Sequence, residues 1–178
     1  STSGRTTAGD GGAASYIYSK TGKSGVTVDN GGILAGPGAD DYWELADNDR
    51  IRMSVYPVDR TGTDDARTAI AAAQTFLDGD GELVFPRGVY RIASSFTFTR
   101  RVVFELGAII QPDSGALVTF NRGYDARDMQ RCFDLSDGGT VASYDEYVTF
   151  PQFGIDVTGA SDAHAIAQSV ATSHQTLA

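Results

Sequence analysis

Cysteine and histidine, which form disulfides and bind transition metals, are almost missing from this sequence of 178 residues. Cys132 is the single cysteine, so an internal disulfide is excluded. The two histidines, His164 and His174, have no Cys or second His at the spacing of a zinc site. We therefore predict no metal site and no cofactor, and we expect Cys132 to be a small buried apolar residue.

Positive charge is also scarce, because 14 Lys and Arg residues stand against 23 Asp and Glu residues and give a formal net charge of −9. Binding to nucleic acid or to an anionic membrane surface depends on clustered Lys and Arg. The sequence also has no apolar run of the roughly eighteen residues that a membrane span needs. The composition therefore argues against nucleic acid as a partner and against membrane insertion.

Glycine, by contrast, is abundant. The 21 glycines and five prolines indicate frequent tight turns, and the hydrophobic content of 41% is enough for a packed core. Many turns between short apolar runs are typical of β proteins rather than of helical bundles. We therefore predict a mainly β fold with short capping α-helices.

Residues 1–56 are predicted to form a glycine-rich β-module whose last strand is Ile51–Tyr56. A module of about 55 residues is marginal as an isolated monomer. Tyr and Trp are enriched at interfaces because they combine a large apolar area with one polar group. We therefore expect the module's aromatic residues to form a trimer seam or the module's core, with stacking on sugar rings as the alternative. These residues are Tyr16, Tyr18, Tyr42, Trp43 and Tyr56.

One short passage occurs twice in the chain, because Val58–Ile70 returns in similar form as Ile155–Ile166. In each copy a Thr-Gly turn precedes an aspartate that can accept backbone N–H bonds at the start of a helix. Apolar residues then recur at the spacing of one helix face. Each copy is therefore predicted to be a turn followed by a helix cap. The predicted cap residues are Asp64, Asp65 and Ile70 in the first copy, and Asp162 and Ile166 in the second.

Six strand-like runs follow the first predicted helix. Their short spacing suits the turns of a β-solenoid and a compact sandwich equally, because both are built from short strands with frequent turns. With the helix they make up a second predicted module, 57–150. Residues 151–178 are expected to start a second cap that leads into a β-helix body absent from this sequence. The six runs are 82–85, 89–92, 95–99, 102–106, 108–111 and 117–120.

The turn at Gly62–Asp65, the Ala/Ile-rich helix and Gly81–Ile92 together resemble the opening segment of pectate-lyase-like right-handed β-helix proteins, notably phage tailspikes. Phe150–Gly154 followed by Thr158–Asp162 is similar to the junction where such proteins start their helix cap. The resemblance implies a homotrimer that is made in the host cytoplasm and belongs to the virion tail. It implies a virion-proximal part that joins the fibre to the tail or to an adaptor protein. Host surface polysaccharide would be bound only by the absent C-terminal part.

Two pairs of adjacent carboxylates, Asp40-Asp41 and Asp64-Asp65, come nearest to a catalytic pattern. Glycosidases need two carboxylates that face each other about 5 to 9.5 Å apart, whereas neighbours at a helix start already have a capping role. In the proteins that this chain resembles, the catalytic groups lie on later coils, beyond Ala178. We therefore predict no catalytic residues and no enzyme activity in this chain, and we assign any polysaccharide depolymerase activity to a longer parent protein. The alternatives are an N-terminal fragment of a polysaccharide-degrading β-helix enzyme and a carbohydrate-binding module.

Overall fold

The computed structural model describes residues 1–2, 12–20, 28, 31–38, 41–126 and 130–143. The predicted second cap, 151–178, lies outside the described residues, and so do its residues Asp162 and Ile166. The outcome for these residues therefore stays a prediction.

The described part of the chain is mainly β, as predicted, and contains one α-helix. It divides into two compact units. Unit 1 takes the described residues of Ser1–Val58 together with Thr68–Val84, and unit 2 takes Asp59–Arg67 together with the described residues from Phe85 onward. The elements are β1 (Tyr16–Ser19), β2 (Ile33–Ala35), β3 (Tyr42–Leu45), β4 (Arg50–Arg52), β5 (Thr61–Asp65), α1 (Arg67–Phe76), β6 (Glu82–Phe85), β7 (Gly88–Ile92), β8 (Phe96–Phe98), β9 (Arg101–Phe104), β10 (Ala108–Pro112), β11 (Leu117–Phe120), β12 (Tyr124–Asp125) and β13 (Thr140–Ser143).

Unit 1 contains an antiparallel sheet of three strands in the order β1-β3-β2. Strand β4 pairs in parallel with β6, with Ile51 opposite Leu83. Most of α1 also belongs to unit 1, and its buried face consists of Ala69, Ile70, Ala73 and Phe76. The predicted apolar stripe is therefore confirmed at Ile70.

Two adjacent glycines allow aromatic rings to pack directly against the backbone of unit 1. A side chain at Gly31 would overlap the ring of Tyr56, and a Cβ at Gly32 would lie 2.5 Å from the ring of Phe76. Both rings are almost fully buried. The Gly-Gly pair is thus a packing requirement of the core, because any larger residue would displace one of these rings.

The predicted strand Ile51–Tyr56 is wrong in its second half. Strand β4 ends at Arg52, and Met53–Val55 form a 3-10 turn in which the Tyr56 N–H donates to the Met53 carbonyl at 3.2 Å. All residues from Met53 to Tyr56 are buried. In a strand, successive side chains point to opposite faces of the sheet. A tight turn can instead direct four successive side chains into the same core.

The sequence also predicted a turn where the structure has strand β5. This strand pairs in parallel with β7, and its register shifts between Thr61 and Asp65. Gly62 has a φ of 82°, a backbone conformation that favours glycine. Because the backbone is irregular at Gly62, β5 can stay paired with β7 although its residue types are typical of a turn.

Unit 2 contains three sets of parallel strands: β5, β7 and β10 in one set, β8, β11 and β13 in the second, and β9 with β12 in the third. Along the chain, β7, β8 and β9 contribute one strand to each of the three sets. Strands β10, β11 and β12 then add one strand to each set in the same order. A bridge from Ile110 to Phe133, and then β13, continue this order. The six strand runs predicted between residues 82 and 120 are confirmed as β6 to β11, to within two residues at each end.

Aromatic rings fill the core of unit 2. Phe98 and Phe120 occupy paired positions of β8 and β11, and their rings stack 4.7 Å apart with an interplanar angle of 5°. Phe133 meets Phe104 and Phe120 edge-on, each at 5.7 Å. Parallel in-register pairing places like residues above one another, so the ring ladder and the strand pairing stabilise each other.

Candidate functional site

An exposed aromatic face lies on the antiparallel sheet of unit 1. In the strand register, Tyr18 is opposite Trp43, and Trp43 is opposite Leu34. Tyr16 lies on the same face because alternate residues of a strand point the same way. Tyr18 is 44% exposed and Trp43 is 40% exposed, and their rings meet edge-on at 5.5 Å. We call Tyr16, Tyr18, Leu34 and Trp43 the aromatic face.

Hydrogen bonds hold the two tyrosines of the aromatic face in place. The Tyr18 hydroxyl donates to Asp41 Oδ1 at 2.5 Å, and the Tyr16 hydroxyl donates to the Gly31 carbonyl at 2.9 Å. The bond to Asp41 raises the pKa of the Tyr18 phenol above its ordinary value. The polar ends of the rings are therefore tied to the protein, while their apolar edges face solvent.

A concavity of about 260 Å³ adjoins the aromatic face, and Ser1, Thr2, Tyr16, Leu34 and Trp43 line it. This volume is below that of a typical drug-sized ligand pocket. The two aromatic rings that line this small concavity offer flat apolar area, which suits either a protein surface or a sugar ring.

The predicted seam residues do not all lie on this face. Tyr16, Tyr18 and Trp43 do, but Tyr42 alternates with Trp43 and lies on the opposite face of the sheet. Tyr56 is 1% exposed and belongs to the core of unit 1, the other role that the sequence left open for it. Leu34 was missed, because its place beside Trp43 follows from strand register and not from sequence distance.

The helix-cap role falls to Asp65. Its carboxylate accepts the backbone N–H groups of Arg67 at 3.2 Å and Ala93 at 3.3 Å, and it pairs with the Arg67 guanidinium at 2.7 Å. Partial burial pushes the pKa of Asp65 upward, but the bonds from Arg67 and the backbone more than offset this, so its pKa lies below the ordinary value. Asp64 is exposed. Of the two candidates, Asp65 is the residue that accepts the N–H bond of the first helical residue.

A second ion pair in unit 2 joins Arg91 of β7 to Asp113, which follows β10. The guanidinium and carboxylate make parallel bonds of 2.9 and 2.7 Å, and the remaining nitrogen of Arg91 donates to the Thr63 carbonyl of β5 at 2.9 Å. Arg91 thus connects all three strands of its set. The bonds from Arg91 lower the pKa of Asp113, so this carboxylate stays ionised.

Asp59 is the carboxylate that sequence reasoning missed. It accepts the backbone N–H groups of Thr61, Thr63 and Asp64 at 3.0, 2.8 and 2.9 Å, and the Thr61 hydroxyl at 2.8 Å. The backbone bond from Asp64, with those from Thr61 and Thr63, lowers the pKa of Asp59 to about 2. The available signal was the repeat itself, because Asp156 stands in the same place in the second copy.

Cys132 is confirmed as a buried residue of unit 2. Its thiol lies 3.5 Å from the Gln130 carbonyl, and burial raises its pKa to about 12. Among the residues that the structure describes, no cluster of three or more His, Cys, Asp or Glu side chains is arranged to hold a metal ion. Within the same residues, no helix is both long and apolar enough to cross a membrane.

No protein-family model matches the chain, and no curated protein matches it.

Proposed function

We propose that this chain is the virion-proximal structural part of a phage tailspike or a related appendage, where it joins the fibre to the tail. The observation that best supports this proposal is the strand order in unit 2. The chain adds one strand to each of the three sets in turn, and β7, β8 and β9 then pair with β10, β11 and β12. A chain that adds strands in this way extends in one direction, as an elongated appendage requires.

On this proposal the strand sets of unit 2 are the sides of a short β-solenoid. Parallel strands joined by crossovers take the right-handed sense in nearly all proteins. The resemblance of Gly62–Asp65 and Gly81–Ile92 to the opening of right-handed β-helix proteins supports the same interpretation. The buried ring ladder at Phe98 and Phe120 would supply the apolar core that such a stack needs.

The aromatic face is the proposed seam of a homotrimer. The two tyrosines, whose hydroxyls are already bonded within the chain, can bury their rings against another subunit at little cost, and Trp43 adds a large apolar ring beside them. Sedimentation equilibrium tests this, with three chains of 18.8 kDa expected per particle. Trp43→Glu should shift the mass toward one chain, because a charge at the centre of an apolar contact is left without a partner.

Leu106→Glu is the matched control, because Leu106 is an exposed apolar residue of unit 2 at 66% exposure. The control should keep the mass of the wild type. A wild type that sediments as one chain, or a Trp43→Glu variant with unchanged mass, would count against the trimer seam. Cosedimentation with phage tails that lack the appendage then tests attachment, and a wild-type trimer that stays in the supernatant argues against it.

A carbohydrate-binding module is the second candidate, because Trp43 and Tyr18 expose ring surface beside the carboxylate of Asp41. Sugar rings stack on aromatic faces, while carboxylates accept hydrogen bonds from the sugar hydroxyl groups. Binding of the wild type to neutral oligosaccharides, lost in Trp43→Ala without a change in mass, would favour this candidate over the trimer seam.

A further inference from the structure

Strand β5 is the end strand of its set, because the order is β10-β7-β5. On one edge it pairs with β7, where the Val89 N–H donates to the Arg60 carbonyl at 2.9 Å. Successive residues of a strand direct their N–H groups to opposite edges, so Thr61 directs its N–H away from β7. The Thr63 N–H donates to the same carboxylate as the Thr61 N–H, that of Asp59. Both residues are exposed. An exposed strand edge with unpaired N–H groups is a template for pairing with another chain.

The N–H groups on this outer edge are not available, because the Asp59 carboxylate binds them. Its Oδ1 accepts the Thr61 N–H, and its Oδ2 accepts the N–H groups of Thr63 and Asp64. The Thr61 hydroxyl donates to the same carboxylate, and it also lies 3.0 Å from the Thr63 hydroxyl. One side chain therefore binds the backbone N–H groups of Thr61, Thr63 and Asp64 and places a negative charge over them.

We propose that the Asp59 carboxylate seals the outer edge of β5 against strand addition by a second copy of the chain. An incoming strand needs N–H donors to match its carbonyl groups, and it would meet only an acceptor with a full negative charge. Charged side chains on edge strands protect natural sheets in the same way. The bonds that lower the pKa of Asp59 also keep it ionised at every physiological pH.

The sequence pattern that contains Asp59 and the residues that it binds occurs twice. Asp59–Asp65 has the form Asp-x-Thr-Gly-x-x-Asp, and Asp156–Asp162 has the same form. The residue types at positions 59, 61, 62 and 65 therefore recur in the sequence, with the same spacing, at positions 156, 158, 159 and 162. This recurrence is what we expect if the edge carboxylate is part of how such a strand set begins.

Asp59→Ala tests the proposal, with Asp64→Ala as the control that removes an exposed carboxylate of the same segment. The measurement is the weight-average mass of the full chain as its concentration rises. We expect the mass of Asp59→Ala to rise about twofold or more above that of the wild type, because the exposed edge can now pair. Asp64→Ala should follow the wild-type curve.

Two second-site variants show whether the new association uses this edge. Thr61→Pro removes one N–H at the first position of the strand, where proline is tolerated, and Thr63→Lys adds an edge charge. Either change in the Asp59→Ala background should return the mass to the wild-type curve. Association that neither change reduces would overturn the proposal.

A folded Asp59→Ala chain that keeps the wild-type mass at all concentrations would overturn the proposal as well. If circular dichroism shows that Asp59→Ala is unfolded, Asp59→Asn replaces it under the same criteria, because Asn keeps one acceptor oxygen. Unfolding of both variants would also overturn the proposal, since Asp59 would then serve the fold rather than the edge.

Discussion

At the scale of single residues, Ile70 is the most direct test of the capping helix. Its side chain is fully buried in unit 1. Ile70→Asp should lower the free energy of unfolding by about 3–5 kcal/mol, because a carboxylate is then buried without a partner. Urea unfolding followed by circular dichroism measures this change, and Ala71→Asp is the control, because Ala71 is exposed on the same helix. Equal effects at the two positions would contradict the burial of this helix face.

Cys132 offers a second test at this scale. With its pKa raised to about 12, only about one thiol in 10⁴ is ionised at pH 8, and the thiolate is the reactive form. We expect the native chain to react with a thiol reagent far more slowly than the chain in urea. Equal rates in the two states would show that the thiol is accessible in the folded protein.

Single residues were predicted from the sequence where their role depends on local spacing. Ile70 follows from helix periodicity, and the choice of Asp64 or Asp65 as the cap follows from the helix start. Asp65 has the capping role because its carboxylate also binds the Arg67 side chain and the Ala93 backbone N–H. The bond to Ala93 joins positions 28 residues apart, which no local pattern contains.

At the scale of elements, the segment Asp59–Asp65 makes the stability of unit 2 depend on pH. The pKa of Asp59 is about 2 in the folded chain, whereas an unfolded aspartate has a pKa of about 3.9. A carboxylate with a lowered folded pKa contributes stability above its unfolded pKa, and this contribution is lost as the pH falls through the folded pKa. We therefore expect the stability difference between wild type and Asp59→Asn to shrink from about pH 5 to about pH 2.

Urea unfolding at several pH values, at low protein concentration, checks this expectation. Asp64→Asn, which removes a neighbouring exposed carboxylate, is the matched control. A stability difference for Asp59→Asn that does not change with pH would mean that the four bonds to Asp59 do not favour the folded state.

Elements were predicted correctly where hydrophobic alternation and glycine punctuation agree. Strands β7 and β10 have both signals, because their buried residues alternate and Gly88 and Gly107 mark their starts, and their bounds were found to within one residue. Strand β5 has no hydrophobic alternation, and its sequence Thr-Gly-Thr-Asp-Asp is typical of a turn. It is a strand because it pairs with β7 and because Arg91 of β7 binds the Thr63 carbonyl. Sequence alone also left solenoid and sandwich open, since the order of strand pairing is not a local property.

At the scale of the whole molecule, the proposed structural role predicts that this chain alone cleaves no polysaccharide. Cleavage of a glycosidic bond needs a general acid, which is a carboxyl group with a raised pKa, facing a second carboxylate across the bond. The ion-paired and hydrogen-bonded carboxylates Asp59, Asp65 and Asp113 have lowered pKa values instead, so they stay ionised and cannot donate the proton. We therefore expect no reducing ends and no unsaturated products from capsular or O-antigen polysaccharide, even at high protein concentration with calcium added. Turnover that Asp113→Ala abolishes in a chain that remains folded would instead favour a polysaccharide-degrading enzyme fragment over the attachment role.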